Sequence, residues 1–374
     1  MNKKVDDNNR KFNIFNFLST FSKCLIEIFI SLYLFKNGFD IKHILLFYIL
    51  ENFFAIFISY FYVKIGEKYS YSVPISIGIV SFIGLQVLLN KYICNTFSYL
   101  LLISIVYSMY RRGYWVSRRF YITTIMPKRA SSERFSIVTI VAQLASILSG
   151  YIGSYLLDSL NMGLLTMISA IVLLISIIPL IDIDYDNTNT KIELIKNLKK
   201  YDIRNFLAFS IFELDNLLEF IFPIYIAIYI KNSYMMAGTI NAVSNISIII
   251  FIFIYGKIIK KKNYFIISTI LFILLSFSKL FITSYLILFI YFFDGIVKKM
   301  QNQSLNKIYF ENHKEIDNAN YNLIYQILES VIRLIVAAPL LLFNDIKYMI
   351  IFVLIVILIE LIIYIRMKKN KVLN

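Results

Sequence analysis

Twelve apolar stretches, separated by short polar breaks, constrain this chain more than any other feature. They are Phe12–Phe35, Ile44–Val63, Tyr71–Leu89, Phe97–Ser117, Phe135–Leu157, Met162–Ile183, Phe206–Ile230, Met235–Tyr255, Tyr264–Phe281, Tyr285–Met300, Tyr321–Phe343 and Tyr348–Ile365. A helix needs roughly 20 apolar residues to cross the hydrocarbon of a bilayer. In lipid every backbone N–H and C=O must be satisfied internally, which a helix does within one segment. The spacing therefore predicts an all-α polytopic membrane protein with twelve transmembrane helices. Composition agrees, with 59% hydrophobic and only 16% charged residues, where soluble domains average about 45–50% and 25%. An aromatic content of 17% excludes a disordered chain. Two cysteines exclude a disulfide framework and a thiolate zinc cluster.

The net charge of +15 fits nucleic acid, anionic lipid or membrane orientation equally well. The position of the charges separates these. Of 38 basic residues, 26 fall in one alternating set of connections, among them Lys64, Lys68, Arg118, Arg119, Lys257 and Lys260, and six fall in the other. Positive residues mark cytoplasmic segments, so both termini and the central loop are expected in the cytoplasm of a bacterial cell, with no nucleic-acid partner. The expected organisation is a tail at 1–11, a six-helix half at 12–183, a central loop at 184–205, a second half at 206–366 and a tail at 367–374.

The chain also repeats itself. Ser98-Tyr99-Leu100-Leu101 in the fourth span matches Ser284-Tyr285-Leu286-Ile287 in the tenth, and the same offset sets Gln143 opposite Glu329. Tyr62-Val63-Lys64-Ile65-Gly66-Glu67-Lys68 after the second span matches Tyr255-Gly256-Lys257-Ile258-Ile259-Lys260-Lys261 after the eighth. Two pseudo-symmetric six-helix halves follow. With its basic turn and central linker, the chain resembles the major facilitator superfamily of secondary transporters. The family's turn has the form G-x-x-x-D-R/K-x-G-R-R/K. Lys64, Gly66 and Lys68 match it, whereas Ser59 and Val63 replace its first glycine and its aspartate. The resemblance implies a cytoplasmic gate at Lys64, Gly66, Lys68, Lys257 and Lys260. It also implies a central cavity lined by the first, fourth, seventh and tenth helices. In the fifth span Ser146, Ser149, Gly150, Gly153 and Ser154 form a run of small residues that lets helices pack closely.

A charge at the bilayer centre costs roughly 2.5–3.5 kcal/mol even on the mildest scale. Charges inside the spans should therefore face protein or water. They are Lys23, Glu27, Glu51, Arg111, Arg112, Glu213, Asp215, Glu219, Asp294, Lys298, Lys299, Glu329, Arg333 and Glu360. Ten of these fourteen lie in spans one, four, seven and ten, the set the resemblance assigns to the cavity. Lys23–Glu27, Asp294–Lys298 and Glu329–Arg333 are spaced i, i+4, which stacks each pair on one helix face. They read either as internal neutralisation or as switchable pairs. The seventh span carries Glu213, Asp215 and Glu219, with no base beside them in sequence. These acids are candidates for proton coupling, or for neutralisation by Arg111, Arg112, Lys298 or Lys299 across the cavity. Arg118 and Arg119 read as cytoplasmic-mouth charges, Trp115 as an interfacial anchor, and Glu360 as snorkelling toward Arg366.

No Walker loop is present. His43 and His313 fall on opposite sides of the membrane, so no metal or other cofactor is expected. The expected function is transport by a monomer, not enzymatic catalysis. The leading reading is proton-coupled export of a small amphipathic compound. A lipid flippase or an importer of a charged nutrient stands behind it, and a membrane-embedded transferase is the weakest alternative. Membrane lipids, a small-molecule substrate and protons are the expected partners.

Overall fold

A computed structural model describes residues 2–125, 131–159, 161–181, 191–198, 203–231, 233–258, 264–281, 286–312 and 318–370. The first span is α1 (Asn2–Cys24), a 3-10 turn (Glu27–Phe29) and α2 (Ile30–Lys36). Spans two to six are α3 (Ile41–Lys68), α4 (Ser72–Lys91), α5 (Phe97–Ile125), α6 (Ser131–Ser159) and α7 (Met162–Ile181). A short linker helix, α8 (Leu194–Leu198), precedes α9 (Ile203–Tyr229), α10 (Tyr234–Ile258), α11 (Phe265–Lys279), α12 (Ile287–Asn312), α13 (Asn318–Leu340) and α14 (Ile346–Asn370). Among the described residues twelve spans result, in the expected places. Most of the helices run past the apolar stretch on the linker side: α1, α6, α9 and α13 begin early there, and α3, α5, α10, α12 and α14 end late.

Among the described residues, eight helical segments are long and apolar enough to cross a membrane unaided. Of the others, α11 has 15 residues. The remaining three, α5, α9 and α12, are those that carry the densest internal charge.

The packing pairs repeat between halves. In the first half the pairs are α4–α5, α3–α5, α1–α6, α1–α7 and α4–α7. In the second they are α11–α12, α10–α12, α9–α13, α9–α14 and α11–α14. Each pair has its counterpart six spans on, as two equivalent halves require. The halves meet along two seams, α6 with α10 and α3 with α13, and the same operation exchanges these two.

Small residues set the first seam. A Cβ on Gly238 of α10 would lie 2.5 Å from the Gly150 carbonyl oxygen of α6. Asn241 and Asn245 then reach the Ser146 hydroxyl, at 3.2 and 3.1 Å. A similar approach explains the break in the first span. A Cβ on Gly153 would lie 2.8 Å from the Leu25 carbonyl oxygen. The absent side chain thus leaves room for the chain to unwind between α1 and α2, where Ile26 donates to the Lys23 carbonyl.

Candidate functional site

A cavity of about 690 Å³ lies between the halves. At the face opposite the linker it is covered by a buried apolar cluster of Phe29, Leu32, Ala227, Tyr234 and Ala237. Asp158, at the end of α6, clasps that face by accepting from the backbone N–H of Met235 and from the Ser233 hydroxyl, at 2.8 and 3.0 Å. Toward the linker face Arg118, Thr139 and Asn302 form its wall. Tyr48 packs against Phe220 across the halves, the tilted rings 4.6 Å apart.

The intramembrane charges fall into three groups. The first lies at the α3–α13 seam. Arg111 binds Glu51 at 3.0 Å, within one half. Glu329 of α13 receives Arg112 at 3.3 Å and Arg119 at 3.4 Å from the other half, and Arg333 of its own helix at 2.8 Å. Arg112 also donates to Gln326, and Arg333 binds Glu213 at 2.6 Å. Three arginines thus converge on one carboxylate, and two of them cross between halves.

The second group stays within one half. Lys298 of α12 contacts Glu219 at 2.5 Å, Asp294 at 3.1 Å and Asp215 at 3.6 Å. Asp294 is shared with Lys279 at 3.0 Å. Lys279, one of the six basic residues in the sparser set of connections, is buried. Its partner Asp294 lies on the next helix, and its ammonium also rests on the Tyr291 ring at 4.2 Å.

The third group surrounds Trp115. Lys23, Arg118 and Arg119 lie 4.9, 5.2 and 5.9 Å from the indole centroid. Trp115 therefore faces the cavity and its cations, where a bilayer anchor was expected. Arg118 and Arg119 line the cavity wall too. Their seven-residue spacing from Arg111 and Arg112 was the available signal.

Two of the three i, i+4 pairs close as ion pairs, Asp294–Lys298 and Glu329–Arg333. Lys23 and Glu27 do not, because the break in the first span removes their common face. Lys23 turns to Tyr114 and Trp115, and Glu27 accepts from the Tyr107 hydroxyl at 2.9 Å. The bases that meet the acids of α9 are Lys298 and Arg333, in place of Arg111 and Arg112. Glu51, Arg112 and Asp294 are fully buried behind the wall and do not line the cavity. Glu360 accepts from Ser210 of α9 at 2.8 Å and does not reach toward Arg366.

At the end of α3 and the turn that follows it, Lys64 and Lys68 of the helix are exposed. Tyr71 holds the turn, stacking on Phe120 at 3.7 Å and donating to Glu67 at 3.0 Å, with Gly66 beneath its ring. Lys260 and the Lys257 side chain lie outside the described residues.

Two equivalent helical halves about a charge-lined central cavity define a secondary-transporter fold. The chain matches the Major Facilitator Superfamily over residues 13–337 and belongs to that family. Its fold is similar to that of a mutant of the nucleoside transporter NupG. The TM-score is 0.67 and the identity 14%, over 96% of this chain and 99% of that one. A comparison with curated proteins gives no match.

Proposed function

We propose that this chain moves a small amphipathic compound across the cell membrane by alternating access, in a cycle driven by protons. Both termini and the 184–205 loop lie in the cytoplasm, and export is the direction. The halves span 12–183 and 206–366, flanked by tails at 1–11 and 367–374. The observation that carries this reading is the group around Lys298. Three carboxylates, Asp215, Glu219 and Asp294, share two lysines, Lys298 and Lys279. Uptake of one proton balances that group, and Glu219 is half-exposed at the cavity wall, where a proton can reach it. Ligand binding in the cavity then biases the two open states by its differential affinity for them.

The test is flux of a compound panel in proteoliposomes under an imposed pH gradient. Flux unchanged when the gradient is collapsed sinks proton coupling, and no flux in either direction sinks transport. Accumulation against the export direction favours the second reading, uptake of a charged nutrient. The likeness to a nucleoside transporter places nucleosides in the panel. Cysteine labelling of the 184–205 loop from outside the cell overturns the orientation.

A further inference from the structure

The Trp115 corner holds cations that no acid matches. Lys23 Nζ lies 4.5 Å from the Tyr114 centroid and 4.9 Å from Trp115. Arg118 lies 5.2 Å from Trp115, and its Nε donates to the Asn16 side-chain oxygen at 3.2 Å. Among the described residues no carboxylate comes within ion-pair distance of either; the bridges of α5 run from Arg111, Arg112 and Arg119. Glu27, the nearest acid along the chain, is turned to Tyr107 by the helix break.

A ring face attracts a cation by about 0.5–2 kcal/mol but supplies no net negative charge. An uncompensated charge beside the membrane interior is costly until a counter-charge arrives. Lys23, Tyr114, Trp115 and Arg118 all line the cavity. The corner is therefore a set of half-made ion pairs, held in place by rings and open to the space where cargo sits. Farther along the cavity the wall carries Phe220, Phe222 and Tyr291, which suit an aromatic body. Asp215 and Glu219, which precede Phe220 and Phe222 along α9 and lie nearer the linker face, are held by Lys298.

We infer that Lys23 and Arg118 form an anion subsite that takes the carboxylate, sulfonate or phosphate of a small aromatic organic anion. The anionic group sits toward the linker face, and the ring points toward Phe220 and Tyr291. This rests on the transport reading and names the class of its cargo.

Trp115 is the single tryptophan of the chain and reports on the site directly. The purified full chain in detergent is titrated with benzoate, benzenesulfonate and phenyl phosphate while Trp115 emission is followed. Benzamide, which keeps the ring without the charge, and inorganic phosphate are the controls. We expect a saturable change with at least one aromatic anion and none with either control. Lys23→Gln and Arg118→Gln should each weaken that binding about tenfold or more, whereas Lys91→Gln, exposed on the opposite face, leaves it unchanged. Melting temperatures of all variants report folding separately. A response to inorganic phosphate alone, an equal response to benzamide, or none to the three anions overturns the subsite. Binding without proteoliposome flux overturns transport and leaves the subsite standing. Flux of uncharged cargo without anion binding does the reverse.

Discussion

Arg112 and Lys298 hold equivalent places in the two halves, since the offset that aligns Ser98 with Ser284 also aligns them. Their surroundings differ. Arg112 binds across the seam to Glu329 and Gln326 of the other half, with Glu51 of its own half farther off at 3.9 Å, and is fully buried. Lys298 contacts acids of its own half and lines the cavity. The first arrangement ties the halves together and must rearrange if they rock. The second travels with one half and can change its protonation without disturbing the seam. A near-symmetric scaffold thus carries two unlike devices, one joining the halves and one open to the cavity.

The strongest way to break this comparison is Glu329→Gln. It leaves Arg112, Arg119 and Arg333 without their shared carboxylate, and breaking a buried pair costs about 3–5 kcal/mol. Lost transport and a markedly lower melting temperature are expected; unchanged stability removes Glu329 as the cross-half hub. Gly238→Ala probes the other seam, where the new methyl group meets the Gly150 carbonyl. Overpacking of this kind costs about 1–3 kcal/mol, measurable as a lower melting temperature, and wild-type melting shows that this seam yields.

Glu219→Gln sharpens the contrast, because its half-exposed pair contributes under about 1 kcal/mol to stability. Flux driven by the pH gradient should fall about tenfold, which is about 1.4 kcal/mol, at unchanged melting temperature. Full retention of gradient-driven flux excludes Glu219 from coupling. The smallest effect belongs to Lys64→Ala and Lys68→Ala. Both side chains are exposed, so stability should move by no more than about 0.5 kcal/mol. A larger loss on thermal melting identifies a gate contact in another state.

The twelve spans and the spans that carry charge were legible because each depends on local composition. Pairing was not, because it depends on contacts distant in sequence. Glu213 finds Arg333, 120 positions later, and nothing local to either residue marks the other. The break in the first span was hidden for the same reason, since its cause is the missing side chain of Gly153 on another helix. Lys279 misled because a lysine at the end of an apolar stretch reads as a loop charge. Only the packing of α11 on α12 shows that Asp294 draws it inward.

The charged helices also set an order of manufacture. Glu213 emerges from the ribosome 120 residues before Arg333. At about 5–20 residues per second that is about 6–24 s. Throughout that interval α9 holds three acids and is not apolar enough to count as a span by itself. It must wait beside the translocation machinery, or in contact with earlier helices, until α12 and α13 bring Lys298 and Arg333. Biogenesis of the second half is therefore cooperative. A chain truncated before α13 should be recognised and degraded as an orphan, however well its first half has folded.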